Sequence, residues 1–161
     1  STDTANEFDV WKYEVKKKFI NEPEIYNKIK GIVVLPVTSP LRKQKHILEA
    51  IKLFDRSSFD IVVAIKIASR NPYYNMVEKN KKGQLYLVKN NKLVASRQKA
   101  PDVYDLTNLI YVFNPRKILD KKHIFDCNIG SITVSKQSGI DIDDIQDFEI
   151  AKFLYEKKNK K

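Results

Sequence analysis

The stretch Gly31–Arg42, GIVVLPVTSPLR, decides the fold of this 161-residue chain. Its apolar run Ile32–Leu35 shows no polar alternation, which predicts a buried strand that is covered on both faces. Pro36 ends the strand because proline cannot donate a hydrogen bond to a central ladder. The turn Thr38-Ser39-Pro40 follows, and it is rich in hydroxyl groups.

A helix is predicted after this turn, because apolar residues recur at helical spacing: Ile47, Leu48, Ile51 and Phe54. The turn therefore lies at the carboxyl end of a strand and the amino end of a helix, where open α/β sheets bind their ligands. Free N–H groups and the helix dipole favour an anion there, and Arg42 adds positive charge. A second apolar run, Ile61–Ile67, completes a predicted βαβ unit with a right-handed crossover.

Composition predicts one globular α/β domain, residues 1–161. No apolar run approaches the ~20 residues that span a bilayer, and no signal peptide pattern is present, so we expect no membrane partner. The single Cys127 excludes an intramolecular disulfide and favours a reducing cytoplasm. We interpret Cys127 itself as a packed residue.

The formal net charge of +10 has two interpretations. It fits a nucleic acid, a membrane surface or a phosphorylated ligand as partner, or it reflects a lysine-rich proteome, which is the interpretation that we favour. The excess consists mainly of lysine runs, and the stacking and groove-reading patterns of common nucleic-acid modules are absent. We therefore predict no nucleic-acid partner.

The first helix is predicted to begin near Ala5, because Thr4 and Glu7 have the spacing of a capping box. Its apolar stripe predicts core contacts: Phe8, Trp11, Val15 and Phe19. A parallel-type strand such as Ile32–Leu35 normally has neighbours on both sides, yet only a helix precedes it. We therefore expect this chain to lack the first strands of its sheet.

Residues 68–104 are predicted to form a small antiparallel insertion, with turns at Lys79–Gly83 and Asn90-Asn91. Further on, Leu109–Phe113 is predicted to be a buried strand, and Asn114-Pro115 to begin a short helix that ends near Leu119.

Two carboxylates near the carboxyl terminus are candidate metal ligands. In an extended chain, Asp141 and Asp143 lie on one face, and Mg²⁺ prefers a few carboxylate oxygens beside phosphate and water. The alternative is that Asp143 or Asp144 caps the helix that follows, whose predicted apolar stripe is Ile145, Phe148, Ala151 and Tyr155.

Several separate segments resemble the N-acylneuraminate cytidylyltransferase family. LPVTSPLR resembles its TSPLR segment, and NPYYNMVE (71–78) resembles the start of its insertion. Residues 97–105 resemble its R-Q-x-x-P-x-V-Y-D stretch, and GIDIDDIQDFEIA (139–151) is similar to its S-I-D-I-D-T-x-x-D-F-x-x-A motif. STDTAN shares only Asp3, Thr4 and Ala5 with the family's S-D-T-A-S segment.

The resemblance implies a Rossmann-like, three-layer nucleotide-diphospho-sugar transferase fold. It also implies a homodimer in which the insertion 68–104 pairs with the same insertion of a second copy. It implies transfer from CTP to a nonulosonic acid, giving a CMP-sugar and pyrophosphate, in cell-surface polysaccharide biosynthesis. Asp141 and Asp143 would then be catalytic and would hold Mg²⁺ or Mn²⁺. The implied substrate-binding residues are Thr38, Ser39, Arg42, Arg97, Gln98, Tyr111 and Phe125.

Two departures from the family leave alternatives open. No stretch here resembles its R-x-G-S-K-G nucleotide loop, so we expect little or no turnover from this polypeptide alone. Pro36 replaces a glutamine that is frequent in sialic acid enzymes, which leaves legionaminic and pseudaminic acids as candidate substrates. The alternatives to an active enzyme are an inactive truncated fragment and a basic, non-enzymatic binding module.

Overall fold

The computed structural model describes residues 6–89 and 97–159. The described α-helices are α1 (Glu7–Asn21), α2 (Pro23–Lys28), α3 (Gln44–Arg56) and α4 (Ile145–Asn159). The described strands are β1 (Ile32–Val34), β2 (Ile61–Ile67), β3 (Val77–Lys79), β4 (Leu85–Leu87), β5 (Tyr104–Phe113) and β6 (Ile129–Thr133). Single 3₁₀ turns cover Arg97–Lys99 and Ile124–Asp126.

The main sheet is mixed, with the strand order β1-β5-β2-β6. Strand β5 is antiparallel to β1 and to β2, whereas β2 and β6 are parallel. The predicted strand–helix–strand unit is present, because β1 and β2 are both antiparallel to β5 and are therefore parallel to each other. Strands β1 and β2 run in the same direction around α3, but β5 lies between them, and Val112 pairs with Val33 on one side and Val62 on the other.

Strand β1 is less buried than its apolar run predicts. It pairs only with β5 among the described residues and forms the edge of the described sheet. Val33 and Leu35 consequently keep 39% and 40% of their surface exposed. The prediction of a strand covered on both faces is thus incorrect for β1.

The core lies on both faces of the sheet, which gives three layers. On one face, α1 packs onto every second residue of β2 and of β5. This cluster contains Phe8, Trp11, Val15, Ile61, Val63, Tyr111 and Phe113. On the other face, α3 packs onto the intervening positions, which include Ala50, Val62, Ala64, Ile110 and Val112. Burial on both faces explains why β2 and the end of β5 are continuously apolar.

Three local predictions need correction. Helix α1 begins at Glu7 and is capped by Asn6, whose Oδ1 accepts a hydrogen bond of 3.2 Å from the Phe8 N–H; Thr4 lies outside the described residues. Residues 115–119 form turns rather than a helix. In α4, Ala151 is buried, whereas the rest of the predicted stripe is exposed: Ile145, Phe148 and Tyr155.

Strands β3 and β4 form a separate two-stranded sheet within the predicted insertion. Its turn follows Lys79, as predicted, and Gly83 adopts φ +83°, a conformation that only glycine reaches without strain. The predicted turn at Asn90-Asn91 lies outside the described residues.

Candidate active site

The candidate site lies at a three-residue bulge in β5. Val63 pairs with Tyr111, but the next residue of β2, Ala64, pairs with Thr107, so residues 108–110 have no partners in β2. The Thr107 hydroxyl donates a 3.0 Å hydrogen bond to the Ala64 carbonyl. Bulges turn side chains away from the regular ladder, and here the bulge presents Asn108.

Arg42 fixes the bulge from the TSPLR turn. Its Nε donates a 2.6 Å hydrogen bond to the Leu109 carbonyl, and its Nη2 donates to the Pro36 carbonyl. Burial lowers the pKa of the Arg42 guanidinium below its usual value. The sequence predicts that Arg42 binds substrate, whereas the structure shows it joining the end of β1 to the bulge.

Asn108 connects two of the predicted site residues. Its Nδ2 donates a 2.5 Å hydrogen bond to Asp141 Oδ2, and its Oδ1 accepts a 2.7 Å bond from the Tyr111 hydroxyl. Tyr111 is only 4% exposed, and its ring packs on Trp11 at a centroid distance of 4.6 Å. Tyr111 therefore reaches the site through its hydroxyl, because its ring lies in the core beneath α1.

The TSPLR turn (residues 38–42) directly contacts the acidic segment (residues 141–144). The Ile142 N–H donates a 2.9 Å hydrogen bond to the Thr38 carbonyl. Two side-chain oxygens in these segments are buried without a hydrogen-bond partner among the described residues, Ser39 Oγ and Asp141 Oδ1. Buried polar atoms are normally satisfied, so Asp141 retains an oxygen that is available to a further ligand.

The two candidate metal ligands differ in their surroundings. Asp141 is partly buried, whereas Asp143 is exposed, and the Asp143 N–H donates to Asp147 Oδ2 at 3.2 Å. Asp144 Oδ1 accepts a 2.9 Å hydrogen bond from the Asp147 N–H at the start of α4. Asp144 therefore caps α4, and the carboxylate of Asp143 does not serve as the cap.

Glu7 was not among the predicted residues of this cluster. Partial burial, and then the negative charge of Asp141, raise the pKa of Glu7 above its usual value. Asn108 was not among the predicted site residues either, because the sequence does not show the irregular pairing of β5 with β2 that presents its side chain. Both residues come together only through the packing of α1 on β5.

The remaining predicted site residues lie on other surfaces. Arg97 and Gln98 both lie in the 3₁₀ turn Arg97–Lys99, where Gln98 is exposed. Phe125 is exposed, stacks on His123 and borders an apolar hollow over β2 and the start of β5. Their substrate-binding roles stay predictions.

The donor set can be compared with the needs of a divalent metal. No group of three or more His, Cys, Asp or Glu side chains converges on one point within 6–89 and 97–159. Mg²⁺ is commonly held by one or two carboxylates, with water and phosphate completing its shell. The unpartnered Asp141 Oδ1, with the exposed Asp143 two residues away, fits that requirement.

Tyr111 provides a pH test of the cluster. Burial, and then the charges of Glu7 and Asp141, raise the pKa of Tyr111 to about 12. Above its ordinary pKa of ~10, the unfolded chain releases this proton while the folded chain keeps it, so stability falls between about pH 10 and 12. Ultraviolet titration of wild type against Tyr111→Phe measures this phenol directly; its ionisation near pH 10 would contradict the burial.

The fold can now be compared with known structures. The solved 4-diphosphocytidyl-2C-methyl-D-erythritol synthase of Anaerococcus prevotii aligns with a TM-score of 0.62 at 12% identity. The alignment covers 95% of this chain and 68% of that one. The α/β fold of the nucleotide-diphospho-sugar transferases is thereby confirmed.

The sequence relatives narrow this class. The chain is 30% identical over 135 residues to post-translational flagellin modification protein B of Campylobacter coli, which covers 80% of this chain. It is 36% identical over 99 residues (57% of this chain) to CMP-N,N'-diacetyllegionaminic acid synthase of Campylobacter jejuni, and 27% identical over 161 residues (99% of this chain) to N-acylneuraminate cytidylyltransferase of Escherichia coli.

These relatives confirm the resemblance to the N-acylneuraminate cytidylyltransferase family. The chain spans 54%, 38% and 36% of the lengths of the three relatives, respectively. No protein-family model matches the sequence. Within the part of the chain that the structure describes, no helix is long and apolar enough to cross a membrane.

Proposed function

We propose that this protein transfers a cytidylyl group from CTP to a nonulosonic acid and releases pyrophosphate. The observation that carries the proposal is the unpartnered oxygen of Asp141, held where the acidic segment meets the TSPLR turn. The names of the sequence relatives support both the reaction and the class of sugar.

In this reaction the anomeric hydroxyl of the sugar loses its proton to solvent, and its oxygen forms a bond to the α-phosphorus of CTP. The bond from that phosphorus to the bridging oxygen breaks, and pyrophosphate leaves with the electron pair. Asp141 and Asp143 would hold Mg²⁺ or Mn²⁺, which when bound neutralises triphosphate charge. The protein's own contribution is to hold Asp141 in one orientation and to place the TSPLR turn beside it.

The remaining site residues are assigned to the substrates. Thr38 and Ser39 lie in the turn beside Asp141, and Arg97, Gln98 and Phe125 lie on separate segments and are assigned to the substrates by the family resemblance. The sugar is left at the level of a nonulosonic acid, because the relatives include enzymes named for both legionaminic and neuraminic acids.

Tb³⁺ luminescence tests the metal site in this polypeptide. Tb³⁺ accepts the same oxygen ligands as Mg²⁺ and emits when a nearby aromatic side chain absorbs light. Two hydrogen bonds through Asn108 link the Tyr111 hydroxyl to Asp141, and Trp11 packs against the Tyr111 ring. We expect saturable sensitised emission that Mg²⁺ displaces and that CTP strengthens. Absence of emission, together with steeply salt-dependent nucleic-acid binding, would favour the basic binding module instead.

We also propose that the protein forms a homodimer through the β3–β4 hairpin. Two strands form no stable sheet alone, and this pair exposes several apolar side chains, including Met76, Val77, Leu85 and Tyr86. A second copy would cover these side chains, and a contact through the predicted insertion agrees with the family resemblance.

Leu85→Lys is expected to convert the dimer to a monomer, because Leu85 is 67% exposed in one copy and a buried lysine would lack a partner. Light scattering after size-exclusion chromatography measures the mass. Ile20→Lys on α1, where Ile20 is 75% exposed, is the matched control. The same dimer mass for wild type and Leu85→Lys would exclude the hairpin as the interface.

A further inference from the structure

The Asn108 amide has a fixed orientation in the cluster. An amide presents one accepting and one donating end, and the Tyr111 hydroxyl donates to the accepting end at 2.7 Å. The donating end therefore faces Asp141 Oδ2, at 2.5 Å. Tyr111 cannot turn away, since its ring is held between β5 and Trp11 in the core.

The backbone that carries Asn108 is fixed on both sides. Thr107 is bonded to β2 through the Ala64 carbonyl, and Leu109 is bonded to the Arg42 guanidinium. Leu109 itself is fully buried. An asparagine held in this way presents its amide with little conformational freedom, as preorganised support of a ligand requires.

We propose that Asn108 is a positioning residue for the metal ligand Asp141. The amide holds Oδ2 of the carboxylate, so that Oδ1, which has no partner, is turned toward the metal. This inference rests on the proposed function, because it presumes that Asp141 binds the divalent ion. It assigns a role to a residue of the β5 bulge, whose three residues, 108–110, have no partners in β2.

The test compares Tb³⁺ binding by wild type, Asn108→Ala and Tyr111→Phe. We expect Asn108→Ala to weaken Tb³⁺ binding about tenfold, the lower end of the range for residues that support metal ligands. Tyr111→Phe leaves the amide free to reverse, and we expect a loss of about threefold, typical of one neutral hydrogen bond. Asn128→Ala is the matched control, because Asn128 is exposed and bonds only near the opposite end of β2.

Luminescence lifetimes in H₂O and D₂O give a second readout. They count the water molecules on the bound ion, and a carboxylate that is free to rotate admits about one more. A purely structural role for Asn108 would lower the melting temperature without changing this count. If Asn108→Ala fails to fold, Tyr111→Phe still reports on the same chain of hydrogen bonds, because Phe keeps the ring in the core.

The outcomes separate the two proposals. Loss of binding in Asp141→Asn, with wild-type affinity and water count in both Asn108→Ala and Tyr111→Phe, would overturn the positioning role alone. Unchanged binding in Asp141→Asn would overturn the metal site itself. Weakened binding in all three variants, with Asn128→Ala unchanged, is the result that we expect.

Discussion

Asp141→Asn abolishes sensitised Tb³⁺ emission, with an expected loss of affinity of at least about 100-fold. The substitution keeps the shape of the side chain but removes the charge from the buried Oδ1 that has no partner. An amide oxygen is a weaker ligand for a hard cation than a carboxylate oxygen is. The effect is measured by titrating Tb³⁺ and, independently, by displacing it with Mg²⁺.

Two control variants make this result specific. Asp143→Asn is expected to weaken binding less, because Asp143 is exposed and its carboxylate accepts no hydrogen bond among the described residues. Asp144→Asn retains metal binding, because Asp144 caps α4 and asparagine caps almost as well. Equal losses in all three variants would indicate non-specific attraction of the cation to an acidic segment.

A readout without metal tests the electrostatic effect of Asp141 on Glu7 in the folded protein. The negative charge of Asp141 contributes to the raised pKa of Glu7. Removing that charge is expected to lower the pKa of Glu7 toward its ordinary value, which carboxyl NMR shifts report. A pKa of Glu7 that does not change would contradict the electrostatic effect of Asp141 on Glu7.

The sequence predicted the parts of the fold that depend on local pattern. Residues 61–64 of β2 and the α1 residues Phe8, Trp11 and Val15 are buried as expected, because their periodicity is set by geometry within one element. Phe19 and Ile67, at the ends of these predicted runs, are 48% and 60% exposed. Asp141 was predicted from a motif with a short spacing, and its role in metal binding stays a prediction. These features need no knowledge of which segments pair.

Non-local pairing explains what the sequence did not predict. Strand β5 lies between β1 and β2 although it follows them by many residues, and the βαβ prediction did not include this inserted strand. The β5 bulge depends on the mismatch of two strands, and it is this bulge that brings Asn108 to Asp141. Glu7 joins them only because α1 packs on the same face.

Trp11→Ala is expected to lower the free energy of unfolding by about 3–5 kcal/mol, the usual cost of removing a buried aromatic side chain. Trp11 is 9% exposed and makes three aromatic contacts, with centroid distances of 4.6 Å to Tyr111, 5.4 Å to Phe113 and 6.0 Å to Phe8. Urea unfolding followed by circular dichroism measures the change.

The matched control is Tyr13→Ala on the same helix. Tyr13 is 63% exposed, so its removal is expected to change stability by no more than about 0.5 kcal/mol. A small effect of Trp11→Ala would show that α1 does not pack on the sheet in solution. In that case Glu7, at the start of α1, would also leave the cluster, and its pKa would return to the ordinary value. The packing of one tryptophan and the electrostatics of the site are therefore tested by the same variant.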